Sequence, residues 1–592
     1  MRSCDHMPIL AILILSISHL ASAETRPFVA VTDEMLLHPD PSDWLMYSRT
    51  YDNHRFSPLD QINRDNVRQL EAVWSRNMHA GTQENIPLVY DGVMYVANPR
   101  AIIQALDAAT GRLLWEYRRE LPGDVARFIR GLGRTRTLAL YDDKVFYTSP
   151  DGYLVALDVQ SGELRWETFV QDYKTQTQHT TGPMVINGKV LTGRNCGNTR
   201  KYCFIAAHDA RTGNEQWKFF VTAAPGEPGG DTWGVMPVDL RIASPWGLPG
   251  GFDAARNLVY WGIANPNPHT RIKRHNGRPF DVSLSAPAEL FSNSTLALNP
   301  DTGELAWYYQ HLPGDDWDSD YTHERILFRA PLDPNPDEVK WISPDIRRGE
   351  PRDMMVTVGE PGGVWVLDRA TGRFLWATPF PFDTPDFHIA GIDVETGVTR
   401  ISRDKVLTRE GEQHTTCFQN TKSYWPMAYH PVRNALYVPY HDACVTRTGR
   451  LVVENGHSRM THAREGSDPN AFAGLAKVDM RTGKVTHLHT QRTPGNGAVL
   501  LTSGDLLFWG DMSGAFYAID ADAGEILWDA KVTGIVQTST ITYAVDGRQY
   551  VAVLTGDGLS GTYGPLSVVP DLQVAREHNA IYVFALPEEI RQ

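Results

Sequence analysis

Cysteine is scarce in this chain: five residues in 592, with no two of them in a C-x-x-C pair. That argues against a metal–thiolate site, and the absence of any C-x-x-C-H run excludes a covalently attached c-type haem. An excess of basic residues is also missing. The formal net charge is −14, which argues against a nucleic-acid surface and otherwise speaks only to solubility. Outside the N-terminal segment no apolar run is long enough to span a bilayer.

The N-terminal segment itself reads as an export signal. Met1-Arg2-Ser3 precedes an apolar stretch from Pro8 to Leu20, and Ala21-Ser22-Ala23 forms an A-x-A cleavage site before Glu24. Residues 1–23 are therefore expected to be a signal peptide, and 24–592 a single exported, periplasmic domain. Disulfides persist in that compartment. Of the four cysteines left, spacing suggests Cys196–Cys203 and Cys417–Cys444, although sequence alone allows three pairings.

What the chain has in quantity is a short repeat. Ala105-Leu106-Asp107-Ala108-Ala109-Thr110-Gly111-Arg112-Leu113-Leu114-Trp115 is an apolar run, an Asp, a tight Thr-Gly turn, and a strand ending in Trp. It returns at Asp158–Trp166, Asp209–Trp217, Asn299–Trp307, Asp368–Trp376 and Asp520–Trp528, with a degenerate copy at Asp479–His487 that lacks the Trp. Each copy reads as a hairpin, because Asp and Gly supply turn chemistry between two apolar runs. One hairpin cannot bury both faces, so copies must stack. A period of about 40 to 50 residues with this content points to the blades of a β-propeller.

The ends of the chain carry strands that suit closure of such a ring. Leu70–Trp74 follows a polar opening segment, and Ala580–Leu586 is a continuous strand near the other end. Pairing both in one blade would remove free sheet edges. The expected fold is all-β, an eight-bladed propeller with Trp-docking blade repeats, seven blades remaining open by this count.

The opening Asp52-Asn53-His54-Arg55-Phe56-Ser57-Pro58-Leu59, together with the Asp-x-x-Thr-Gly-x-x-x-Trp repeats, resembles the pyrroloquinoline quinone (PQQ) dependent alcohol dehydrogenases over essentially the whole mature chain. Within that family the chain looks most like the sorbose-dehydrogenase-like branch. The likeness there rests on Gly193-Arg194-Asn195-Cys196, Gly226 to Gly234, and Leu312-Pro313-Gly314-Asp315-Asp316-Trp317-Asp318.

The resemblance implies a cofactor site at the propeller axis. A flat tricarboxylate needs cations and hydroxyls, a surface to stack on, and a hard cation at its quinone oxygens. It places Arg136 as a carboxylate-binding cation, Thr180 as a hydroxyl donor, Trp246 as the stacking indole, and His441 where the family has an Asn touching the cofactor. For the metal it implies Asn265 and, at the position of the family's Glu, Asn198. Two features of the pattern are missing: the adjacent cysteines near Arg134, and the cation that hydrogen-bonds the quinone, replaced here by Glu360.

The family's catalytic Asp aligns without gaps on Ala288, so the adjacent Glu289 is expected to serve as both general base and metal ligand. Asp281 is the second choice of base and His441 the third. The resemblance then implies oxidation of an alcohol, polyol or sugar-like hydroxyl using PQQ with calcium or a lanthanide. Electrons would pass to a separate cytochrome c or quinone. The alternatives are a non-catalytic propeller scaffold of the outer-membrane assembly type, or a relative that has lost PQQ.

Overall fold

The computed structural model describes residues 28–132, 134–558 and 563–588; the expected signal peptide, 1–23, lies outside them. Strands dominate, and the helices are one or two turns long. No helix among the described residues is long and apolar enough to cross a membrane.

Each repeat folds as its turn chemistry dictates. In the first, strands Ile102–Asp107 and Leu113–Arg118 pair antiparallel. The Asp107 carboxylate accepts the amides of Ala109 (3.1 Å) and Thr110 (3.0 Å), while the Gly111 amide donates to the Asp107 carbonyl (2.8 Å). This Asx turn satisfies the amides of Ala109, Thr110 and Gly111 from within the repeat. The degenerate copy keeps the same hairpin, Ala473–Asp479 with Val485–Gln491; its His487 stacks on Phe382 with ring centroids 4.4 Å apart.

Eight sheets of four or five strands are formed among the described residues, with three smaller sheets between them. In one of the eight, Glu71–Asn77 from near the start of the chain pairs with Ala580–Ala585 from near its end. Both termini are thereby tied into one sheet, which leaves fewer open edges.

The sheets are joined through their tryptophans. The indole of Trp115 donates to the Val159 carbonyl in the following sheet (3.0 Å), Trp166 to Ala210 (3.2 Å), Trp217 to Pro300 (2.8 Å) and Trp74 to Ala108 (3.1 Å). Each ring lies on the Gly turn of its neighbour. At Gly162, whose φ is +74°, a β-carbon would sit 2.5 Å from Cε3 of Trp115. The Asp-x-x-Thr-Gly run therefore makes a turn and also clears a seat for the preceding Trp.

The opening segment crosses several sheets. Tyr51 Oη donates to the Val185 carbonyl (2.6 Å), Asn53 Nδ2 to Arg325 (3.1 Å), and the fully buried Arg55 to the carbonyls of Val499 (2.9 Å), Tyr47 (2.6 Å) and Thr540 (2.5 Å). A buried guanidinium needs such partners, because an isolated buried charge is expensive. The two disulfides join Cys196 to Cys203 and Cys417 to Cys444, the pairing that spacing suggested. The second ties adjacent strands of a small three-stranded sheet, Gln413–Cys417, Ala443–Gly449 and His457–Ala463.

The Trp seat makes a quantitative prediction. Gly162→Ala combines left-handed backbone strain with a clash against Trp115 and should cost about 2–4 kcal/mol. Gly277→Ala has the same backbone strain (φ +85°) but meets no atom within 4 Å, and should cost about 1 kcal/mol. Denaturant midpoints of the two variants, compared with wild type, check the difference.

Candidate active site

Connections that enter the sheets beginning at Ala139, Pro183, Gly251, Ile326 and Ala428 converge on one cavity of about 1130 Å³. Its wall carries three kinds of group. Trp246 offers a flat ring, Arg134 and Arg459 offer guanidinium groups, and Asp318, Asp320 and Glu360 offer carboxyls; amides of Gln178, Asn195, Asn198 and Asn420 lie among them.

The carboxyls come from a dense acidic run, Asp315-Asp316-Trp317-Asp318-Ser319-Asp320, which the fold divides by role. Asp315 accepts the amides of Trp317 (2.7 Å) and Asp318 (2.9 Å), and Asp316 accepts those of Arg271 (2.5 Å) and Leu407 (2.8 Å). Burial pushes Asp315 up to about 8 and Asp316 up to about 6. Those two shape the loop. Trp317 is buried and anchors it through an indole bond to the Lys405 carbonyl (2.9 Å). Asp318 then turns at φ +61°, a left-handed conformation that Asp tolerates better than most residues, and together with Asp320 reaches the cavity wall.

Asp318 and Asp320 stand in opposite electrostatic settings. Burial alone would raise the Asp318 carboxyl, but the opposing charges around it outweigh that and hold it below the ordinary value. Arg459 lies 2.6 Å from its Oδ2 and His269 Nε2 lies 3.3 Å from its Oδ1. Asp320 is pushed up to about 7, first by burial and then by Asp318. Glu360 sits in the turn between strands Pro351–Gly359 and Gly362–Asp368, and burial with the neighbouring Asp320 pushes it well up. The two acids also exchange backbone contacts: the Glu360 amide donates to the Asp320 carbonyl (2.9 Å) and the Asp320 amide to Glu360 Oε2 (3.3 Å). One ionised carboxylate thus adjoins two acids whose charge is disfavoured by burial and by the neighbouring aspartates.

Trp246 is locked at this wall. Its indole donates to Asp320 Oδ2 (2.7 Å), and Asp320 Oδ1 accepts the Asn265 amide (2.8 Å). Arg136, fully buried, pairs with Glu84 (2.7 Å), donates to the Trp246 carbonyl (2.9 Å) and lies over the indole with its guanidinium 4.8 Å from the ring centroid. Thr180 Oγ1 donates to the same carbonyl (2.8 Å). Of the residues expected at a cofactor, Arg136, Thr180 and Trp246 are therefore brought together, but only Trp246 is in the cavity wall.

The expected bases are not. Glu289 is fully buried in a bidentate pair with Arg274 (2.8 Å at each oxygen) and accepts from His275 (2.8 Å), and these cations hold it far below the ordinary carboxylate range against the effect of burial. The loop from His269 folds back to supply both partners, so the carboxylate adjacent to Ala288 is consumed inside the protein. Asp281 pairs with Arg278 on the surface (2.9 Å) and does not line the cavity. His441 is buried between the Asn420 and Gly495 backbone (3.2 Å each) and parallel to Phe472, and burial lowers it to about 4. It neither faces the cavity nor carries a charge to donate.

Among the expected metal ligands, Asn198 lines the cavity and Asn265 is tied to Asp320, whereas Glu289 is remote from both roles. Sequence reasoning missed Asp318, Asp320 and the cavity-facing position of Glu360 as one cluster. The available signal was the density of acids around Trp317: four carboxyls in six residues have no reason to crowd on a solvated turn when a Trp in their midst is buried. Among the described residues no three His, Cys, Asp or Glu side chains are already drawn together at metal-binding spacing. The carboxyl of Asp320 and the amide of Asn198 both line the cavity, and oxygen donors of this chemistry suit a hard cation.

Comparisons with known proteins agree with this assembly. The family profile "PQQ: Glucose/ethanol/alcohol dehydrogenase, beta-propeller domain" matches residues 44–380 and 399–551. The chain is 30% identical, over 88% of its length and 73% of that protein, to the quinohemoprotein alcohol dehydrogenase ADH-IIG of Pseudomonas putida. It is 28% identical to the quinoprotein alcohol dehydrogenase PedH of Pseudomonas putida, covering all of this chain and 99% of that one. A solved europium-containing methanol dehydrogenase superposes with a TM-score of 0.81 at 26% identity, over 94% of this chain and 100% of that chain.

The reassignment of Glu289 is testable by stability alone. Glu289→Gln strands the Arg274 guanidinium in the interior and should cost about 3–5 kcal/mol. The sign of the pH dependence follows from the lowered carboxyl: its stabilisation is complete above its ordinary value of 4.5 and is lost as the pH falls below that. Denaturation of wild type and variant from neutral to acid pH should therefore show the gap narrowing toward low pH.

Proposed function

The chain belongs to the PQQ-dependent alcohol dehydrogenase β-propeller family, and on that premise we propose that it oxidises a primary or secondary alcohol, polyol or sugar-like hydroxyl to the carbonyl with PQQ as cofactor. One observation carries the reading at the level of residues: a single cavity gathers Trp246 with Asp318, Asp320 and Glu360. The succession of four- and five-stranded sheets, one of them built from both ends of the chain, supports closure into a single eight-bladed ring over 24–592.

The residues present fit the cofactor. Trp246 supplies the surface on which a planar ring system stacks, and Arg134 supplies a cation for its carboxylates. Asn198, Asn265 and Asp320 supply oxygens for a hard cation, calcium or a lanthanide; three acids at one wall favour the higher charge. When bound, PQQ supplies the two-electron acceptor to which the carbinol hydrogen is transferred as hydride.

The remaining chemistry belongs to the protein. Asp318 is the group able to take the hydroxyl proton, because it is ionised at neutral pH and stands at the cavity wall. Burial pushes both Asp320 and Glu360 toward the neutral form, the opposite of the setting of Asp318. A cavity of about 1130 Å³ leaves room for a substrate bulkier than methanol. The chain has no C-x-x-C-H run, which supports a separate cytochrome c or quinone as electron acceptor, and the signal-type N-terminus supports a periplasmic location.

Reconstitution tests this directly. Purified protein titrated with PQQ and calcium, or PQQ and a lanthanide, should acquire the quinone absorbance and reduce an acceptor dye in the presence of alcohols. Asp318→Asn should keep the absorbance and lose about 10²- to 10⁴-fold in kcat. Trp246→Ala should weaken PQQ by about 1–3 kcal/mol through lost stacking. No absorbance with any metal would overturn the reading, and undiminished turnover in Asp318→Asn would remove that residue as the base.

A further inference from the structure

Position 360 carries an acid, Glu360, and Asp318 on the same cavity wall has a cationic partner. The partner comes from a different part of the fold. The three-stranded sheet Gln413–Cys417, Ala443–Gly449 and His457–Ala463 is separate from the eight large sheets, and its first two strands are clamped by Cys417–Cys444. It grips the acidic loop twice. Arg447, on the middle strand, is buried and donates to the Trp317 carbonyl, to Gln419 Oε1 and to Thr416 Oγ1 (2.7 Å for the last). Arg459, on the third strand, reaches the carboxylate of the next residue, with Nη1 2.6 Å from Asp318 Oδ2.

The other oxygen of Asp318 is met from another segment. His269 Nε2 lies 3.3 Å from Oδ1, and its ring is backed by His457 at a centroid separation of 5.7 Å. One partner on each oxygen restricts rotation of the carboxyl about its χ2, while each oxygen keeps a lone pair for a proton.

We infer that Arg459 is a positioning residue for the dehydrogenase reaction: together with His269 it fixes the orientation of the Asp318 carboxylate. This rests on the reading of Asp318 as the base given above.

Magnitudes separate this role from a merely structural one. The Arg459 side chain is 48% exposed. An ion pair of that exposure contributes about 0–1 kcal/mol to folding, so its loss should leave the protein folded. Orientation is far more sensitive: a displacement of about 1 Å at a reacting group can cost about 10²-fold in rate. The fold therefore does not depend on Arg459, whereas turnover does.

The experiment uses the full chain reconstituted with PQQ and the metal that supports most activity. Arg459→Met should keep the wild-type melting temperature and PQQ absorbance, leave KM within about 3-fold, and lower kcat about 10²-fold. Arg459→Lys should recover part of the loss, and millimolar guanidinium should rescue Arg459→Ala but not Asp318→Asn. Crystal structures of wild type and Arg459→Met give a readout independent of turnover: Asp318 should hold one side-chain orientation in the first and leave it in the second. Unchanged kcat in Arg459→Met, or an unmoved Asp318 carboxylate, would overturn the inference. Inactive wild type with an intact Arg459–Asp318 pair, lost in Arg459→Met, would instead count against the dehydrogenase reading and leave the orienting contact standing.

Discussion

A tryptophan ring laid on the glycine turn of the next sheet is the contact through which this molecule is assembled. A four-stranded sheet with one apolar face is not stable alone, and the Trp-on-Gly seat supplies both apolar burial and a directed indole hydrogen bond from each sheet to its neighbour. Trp74, Trp115, Trp166 and Trp217 repeat it with the same donor and the same kind of acceptor. Because each seat fixes a sheet against the next, the loops joining them are brought to common positions. The cavity is a product of that repetition: its walls come from connections, and the sheets themselves contribute little chemistry.

Within the cavity the governing quantity is charge density. Three carboxyls share a wall in a partly dry site, and the protein settles the conflict unevenly. Asp318 is held below the ordinary carboxylate value by His269 and Arg459 against the effect of burial, while burial first and then neighbouring aspartates push Asp320 and Glu360 toward the neutral form. An arrangement of this kind separates a group that can accept a proton from groups that would gain by meeting a cation. Position 360 is a Glu and position 198 an Asn, and further charged groups of the wall come from the loop at 318–320 and, through Arg459, from the small sheet at 413–463.

The buried pair of Glu289 with Arg274 and His275 is instructive for the opposite reason. A carboxylate next to the expected position, on a loop near the site, is the natural candidate when residues are counted along the chain. In space its two oxygens are already occupied. The loop from Pro268 to Ser285 both lines the cavity, through Pro268, His269, Lys273 and Asn276, and spends basic residues on anchoring: Arg271 binds the carbonyls of Pro279 and Gly314, and Arg274 binds Glu289.

The sequence by itself determined the repeat, the turn chemistry and the family, and its spacing suggested the disulfide partners that the structure joins. Those depend on residues close together in the chain: Asp107 caps its own turn, and Cys417 and Cys444 lie on strands that pair directly. Trp246, which the resemblance singles out, lies in the cavity wall. Only the tertiary structure decided which acids are held inside the protein and which reach the cavity. Whether a carboxylate is consumed or available depends on cations that arrive from 15 residues away for Glu289 and from 141 away for Asp318. No local pattern encodes such distances, since the partners meet only after the sheets have stacked.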